Sequence, residues 1–123
     1  MASVGFHEPL ELLSEDTRNM HRAIVSLMEE LEAIDWYGQR ADACSDPALK
    51  AVLVHNKNEE IEHASMVLEW IRRHDAQFDA MLKKYLFSSA AITAIEDTAG
   101  GSPAKESVGG SSATLGIGAL KGR

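Results

Sequence analysis

The feature that most constrains this chain is one piece of punctuation, Asp46-Pro47, set between two long runs of helical periodicity. An aspartate followed at once by proline suits an N-cap and a first helical residue. The carboxylate accepts from free first-turn amides, and proline lacks only an N–H that would have no partner there. Before this point, Met20, Ile24, Leu27, Leu31 and Ile34 recur at alternating spacings of four and three, in a stretch that only Gly38 interrupts. Pro9, ahead of Leu10, marks the start of that first helix, and the pattern carries it to about Ala43. After the punctuation, Leu49, Leu53, Val67 and Trp70 share a stripe with Asn56, Glu60 and His63, and the pattern runs to about His74. A turn confined to Cys44, Ser45 and Asp46 implies an antiparallel return. The expected fold is therefore all-α, an antiparallel two-helix hairpin. Phe78, Met81, Leu82, Tyr85 and Leu86 add a shorter helix ending near Phe87, and residues 88–97 are mixed in character.

From residue 98 the composition changes to Gly, Ser and Ala with almost no large apolar side chain. Such a stretch buries too little surface to offset its ordering entropy, so residues 98–113 are expected to be a flexible linker with a reach on the order of 20 to 25 Å. Residues 114–123 follow, and large apolar groups return at Leu115, Ile117 and Leu120. Residues 7–97 are left as one helical unit, and 123 residues are too few for two independent cores. The net charge of −7 argues against nucleic acid and anionic membranes, which favour clustered Lys and Arg. No run approaches the length of a spanning helix and the start lacks a signal pattern, which points to the cytoplasm. The lone Cys44 reads as a helix-end residue, with no second thiol for a disulfide or a thiolate metal site.

The polar residues inside the apolar stripes carry the chemistry. Ala23, Leu27, Glu30, Ile34 and Tyr37 are spaced four, three, four and three, so Glu30 shares a face with core residues. On the second helix Glu60 and His63 form a Glu-x-x-His pair between Leu53 and Val67, both on one side of the helix. Unpaired carboxylates there are costly and repel one another, and a divalent metal removes both objections. Oxygen and imidazole donors without thiolate favour iron or manganese. Helix-bundle sites of this kind need two Glu-x-x-His motifs, and this chain has one, so the other half is expected from a second copy. Glu29 and Glu32, three apart and flanked by Trp36, could line an acidic approach to the metal, with Glu59 in a similar part. Tyr37 could hydrogen-bond a ligating carboxylate. Glu11, Glu62 and Glu69 read as surface charge and His55 as an exposed histidine, while Trp36 and Trp70 read as core or dimer-interface anchors.

Several stretches carry a family resemblance. His7-Glu-Pro-Leu10, His21-Arg-Ala-Ile-Val-Ser26, Met28-Glu-Glu-Leu-Glu32, Asp35-Trp-Tyr37, Glu59-Glu-Ile-Glu-His63 and Leu68-Glu-Trp-Ile-Arg-Arg73 resemble the encapsulated ferritins, and Thr114-Leu-Gly-Ile-Gly-Ala-Leu-Lys121 is similar to the peptide by which such cargo docks inside encapsulin shells. The resemblance covers roughly residues 6–95 and the last ten. It implies a half-ferritin that dimerises into a four-helix bundle, with dimers set in a decameric ring. It further implies oxidation of Fe(II) to Fe(III) at a di-iron centre, two irons per dimer interface, with Glu30, Glu60 and His63 of both subunits as ligands. Glu29 and Glu32 match the metal-uptake carboxylates, with Trp36 beside them, and Tyr37 matches a tyrosine at the centre. The mineral would then be held by the encapsulin shell.

The leading expectation is thus a ferroxidase whose site is completed by dimerisation and whose tail docks Leu115, Ile117 and Leu120 into a shell. The competing expectation is a non-catalytic metal-binding or structural helical cargo protein. A di-manganese or peroxide-handling enzyme would use the same ligands.

Overall fold

The computed structural model describes residues 5–99. The chain runs through a 3-10 turn at Leu10–Leu12 and then four α-helices: α1 (Glu15–Ala43), α2 (Pro47–His74), α3 (Ala76–Tyr85) and α4 (Ile92–Ala99). No strand occurs among the described residues. Of the described residues, those up to 76 form one compact unit and those from 77 form another.

The first unit is the hairpin of α1 packed on α2. Asp46 caps α2 as its sequence suggests, its carboxylate accepting from the Leu49 amide at 2.8 Å with Pro47 in the first turn. Cys44 closes α1 through a bond from its amide to the Ala41 carbonyl, and its thiol rests on the Asp46 carbonyl at 3.6 Å, in keeping with a helix-end role. Charges suit the helix dipoles, with Glu15 and Asp16 opening α1, and Arg72, Arg73 and His74 closing α2.

Four details depart from the periodicity. The first helix does not run unbroken from Leu10. It starts at Glu15, because the Ser14 hydroxyl accepts from the Thr17 amide at 3.1 Å and caps a new helix. The preceding arm folds back, with the Phe6 ring tilted against His21 at 4.2 Å between centroids and the Arg18 guanidinium donating to the Leu10 carbonyl at 2.6 Å. Of the two overlapping stripes on α1, the seam takes Ala23, Leu27, Glu30, Ile34 and Tyr37, while Ile24 and Leu31 stay exposed. The residues of the hairpin that are buried are Ala41, Ala64 and Ile71, with Ile71 wholly enclosed.

In the second unit α3 ends at Tyr85, two residues short of Phe87, which has a positive φ of 63° that stops the helix. The mixed stretch after it yields α4, with Ile95 buried. The expected linker beyond residue 99 and the docking residues Leu115, Ile117 and Leu120 lie outside the described residues.

Candidate metal centre

The hairpin register brings Glu30 of α1 opposite Glu60 and His63 of α2. One ligand atom from each lies within 4.8 Å of the other two. His63 Nδ1 is 3.3 Å from a Glu60 oxygen and 3.9 Å from a Glu30 oxygen. Both carboxylate side chains are 25% exposed and the imidazole 47%, so the group opens to one side of the hairpin.

The electrostatics are those of a crowded anion pair. Glu30 is raised above the usual carboxylate range, first by its hydrogen bond with Glu60, then by burial and by the Glu60 charge. Glu60 is lowered by the same bond from Glu30 and by one from His63. His63 is raised, chiefly by the Glu60 bond. Of the carboxyl pair, Glu30 therefore holds its proton the more tightly and Glu60 the less. A divalent cation of borderline hardness, taking imidazole nitrogen and carboxylate oxygen, fits this donor set and would displace those protons.

The other candidate residues stand around this centre. Glu29 is exposed on the same helix and adds negative charge that helps raise Glu30. Glu32 is part-buried one turn further on, and Trp36 is exposed beyond it. Tyr37 lies on the seam face with the Arg40 guanidinium 5.7 Å over its ring, and within the hairpin it makes no hydrogen bond to the carboxylates among the described residues. His55 meets Glu59 at 4.0 Å. Trp70 is part-buried, stacked on His74 at 3.8 Å, and lines a groove of about 390 Å³ with Asn19, Arg22, Ala23, Ser26, Met66 and Val67. The groove reaches one turn from the centre at Ser26 and Met66. Glu69 is held by a fork from Arg72 and a bond from Arg73 at 2.7 to 2.8 Å, in keeping with a structural charge.

Stripe reading passed over two seam residues, Gly38 and Lys57. A methyl group on Gly38 would stand 3.6 Å from the Lys57 ammonium, so the lysine stem crosses α1 at the glycine. The signal available was the same four-three spacing, which places Lys57 between Leu53 and Glu60.

Known proteins resemble this chain over most of its length. The EncFtn-like family matches residues 5–89. The chain belongs to this encapsulated ferritin-like family. It is 58% identical to the encapsulated ferritin-like protein of Rhodospirillum rubrum over 98% of this chain and 91% of that one. A ferritin-like protein of Thermotoga maritima is 45% identical over 85% of this chain and 90% of its own length. An encapsulin nanocompartment cargo protein of Myxococcus xanthus is 32% identical over 72% of this chain and 68% of its own. A crystal structure from Nitrosomonas europaea superposes with a TM-score of 0.70 at 60% identity, covering 72% of this chain and 98% of that one. Family membership supports an iron-related, encapsulin-associated role for this EncFtn-like chain. Among its described residues no helix is long and apolar enough to cross a membrane.

Proposed function

We propose that this EncFtn-like chain is a ferroxidase that oxidises Fe(II) to Fe(III) at a di-iron site shared between two copies. The observation that carries this is the Glu30, Glu60 and His63 cluster, with donors within 4.8 Å and one open side. Three donors leave a metal ion under-coordinated, and a second copy related by a two-fold axis would supply three more. Exposed apolar residues on both helices, among them Leu31, Trp36, Ile61 and Met66, give such a copy something to cover. Iron is here the substrate. Each ion gives up one electron to dioxygen or peroxide, and carboxylate oxygens favour the harder trivalent product. Glu60 and His63 hold the ion, Glu30 completes and bridges, and Glu29 and Glu32 with Trp36 line the approach. Tyr37 acts as a hydrogen-bonding neighbour once the site is assembled.

The same reading places the protein inside an encapsulin compartment in the cytoplasm, in rings of five dimers, with Leu115, Ile117 and Leu120 docked on the shell. The match to the Rhodospirillum rubrum protein supports this, since at 98% of the chain it extends past the helical part. The test is anaerobic loading with Fe(II) followed by admission of oxidant. Parent dimer should oxidise iron, and Glu60→Ala and His63→Ala should lose most of the rate. Variants as fast as the parent would refute the site, fully active monomer would refute the sharing, and tight metal uptake without turnover would favour the non-catalytic reading.

A further inference from the structure

The groove on the hairpin has two unlike walls. From α1 it takes Asn19, Arg22 and Ser26, spaced three and four apart on one face, and from α2 it takes Met66, Val67 and Trp70. Its volume of about 390 Å³ suits a small molecule, and such sites are mostly apolar with a few polar groups that fix orientation. The α1 wall has donors in excess. Arg22 uses only Nη1, which meets the Asn19 side-chain oxygen at 2.6 Å and a Glu15 oxygen at 3.3 Å. Among the described residues its Nε and Nη2 edge, the Asn19 side-chain amide N–H groups and the Ser26 hydroxyl have no protein partner. Positive charge is in excess as well, because Glu15 is shared between Arg22 at 3.3 Å and Arg18 at 4.0 Å, two guanidinium groups to one carboxylate. On the α2 wall, the His74 ring covers one face of the Trp70 indole, 3.8 Å away between centroids and 15° from parallel, and His74 Nδ1 donates to the Trp70 carbonyl at 2.8 Å. The indole is thereby held as a rigid flat surface. Met66 beside it is 63% exposed, and its thioether adapts to what it touches.

We infer that this groove binds a small aromatic carboxylate, with its ring against Met66, Val67 and Trp70 and its carboxylate on Arg22, where Asn19 and Ser26 add donors. An inorganic anion would satisfy only the α1 wall, and an uncharged hydrocarbon only the α2 wall. The free Nε and Nη2 edge of Arg22 presents two parallel N–H groups, which match the two oxygens of a carboxylate. The same edge of Arg72 holds Glu69 in that way in this protein, at 2.8 and 2.7 Å. The inference lies outside the iron-oxidising reading and does not depend on it.

The experiment uses the full chain in its assembled form, with 2-naphthoate as the probe. Titration calorimetry gives the affinity, and the Trp70 indole N–H resonance gives the place. The parent should bind 2-naphthoate with a Kd between roughly 20 μM and 1 mM, the range open to a ligand of this size. Acetate, which lacks the ring, and 2-naphthylmethanol, which lacks the charge, should each bind several-fold more weakly. Arg22→Gln should weaken 2-naphthoate about three- to tenfold, as suits a charged hydrogen bond at a largely exposed side chain, and leave 2-naphthylmethanol unchanged. The ligand series is read on the parent and decides the inference even where the variant fails to fold. Equal affinity for 2-naphthoate and 2-naphthylmethanol would make the groove an apolar patch only and overturn the inference. Absence of binding at millimolar probe, as when a second copy fills the groove, overturns it too, as does binding that leaves the Trp70 resonance in place. None of these outcomes bears on Glu30, Glu60 and His63, so the metal site stands or falls separately.

Discussion

Glu30→Gln should make the metal-free protein more stable and leave it deaf to metal. The Glu30 and Glu60 carboxyls share one hydrogen bond, and Glu30 sits above its ordinary value of 4.5 because of that bond and its burial. A group whose folded value is raised holds its proton more tightly in the folded state. For this carboxyl, stability is fully present below 4.5 and is lost as pH rises through the raised value, so at neutral pH the fold carries the whole penalty. At the 4.8 Å span of the cluster, two unit charges repel by about 1 to 2 kcal/mol for effective dielectrics between roughly 80 and 40. A glutamine amide donates to Glu60 as the protonated carboxyl does and brings no charge. A gain of about 1 kcal/mol raises Tm by roughly 4 to 8 °C in a domain of 60 to 100 residues. Metal at about 100 times its Kd should stabilise the parent by about 2.7 kcal/mol, and the variant hardly at all.

Scanning calorimetry at one protein concentration, with EDTA and with Mn(II) or Co(II), reads both effects. The expected signature is a crossing, with the variant above the parent in EDTA and below it in metal. A lower Tm for the variant in EDTA would mean that the carboxylate pair supports the fold. An equal rise with metal in both proteins would remove Glu30 from the ligand set.

Other changes separate fold from site. Asp46→Ala removes the cap on Leu49 and should cost about 1 kcal/mol in urea titration without altering metal affinity. Glu69, lowered to about 2 first by Arg72 and then by Arg73, contributes stability that is present above about 4.5 and lost as pH falls through about 2. Glu69→Gln should therefore destabilise at neutral pH and match the parent near pH 2, as followed by circular dichroism. Deleting residues 115–123 should abolish loading into an encapsulin shell on co-expression and leave iron oxidation intact.

Much of the hairpin was legible because its signals are local. Asp46 and Pro47 act within one turn, and the end of α2 follows from where its apolar stripe stops. The start of α1 was misplaced because Pro9 and Ser14 are both plausible openings, and the hydroxyl bond to Thr17 decides between them. The helix α4 was missed because eight residues with two isoleucines give too short a period to read. For the candidate site, the stripes brought Glu30, Glu60 and His63 to matching levels without any distance information. They could not rank Ile24 and Leu31 against Ala23 and Glu30, since adjacent faces of one helix share the same spacing. Lys57 escaped for a related reason. A lysine in a stripe reads as solvated charge, and only the packed helices show its stem lying against Gly38.

The hairpin taken alone is poorly satisfied in two ways, and the proposed remedies are coupled. Its carboxylates crowd one another, which a metal relieves, and its apolar residues on both helices face outward, which a second copy relieves. If the copies share ligands, each remedy strengthens the other by the same factor, because linkage between two binding equilibria is reciprocal. Metal would then tighten association as much as association tightens metal. A site lying wholly within one hairpin shows no such coupling, and its metal affinity is independent of protein concentration.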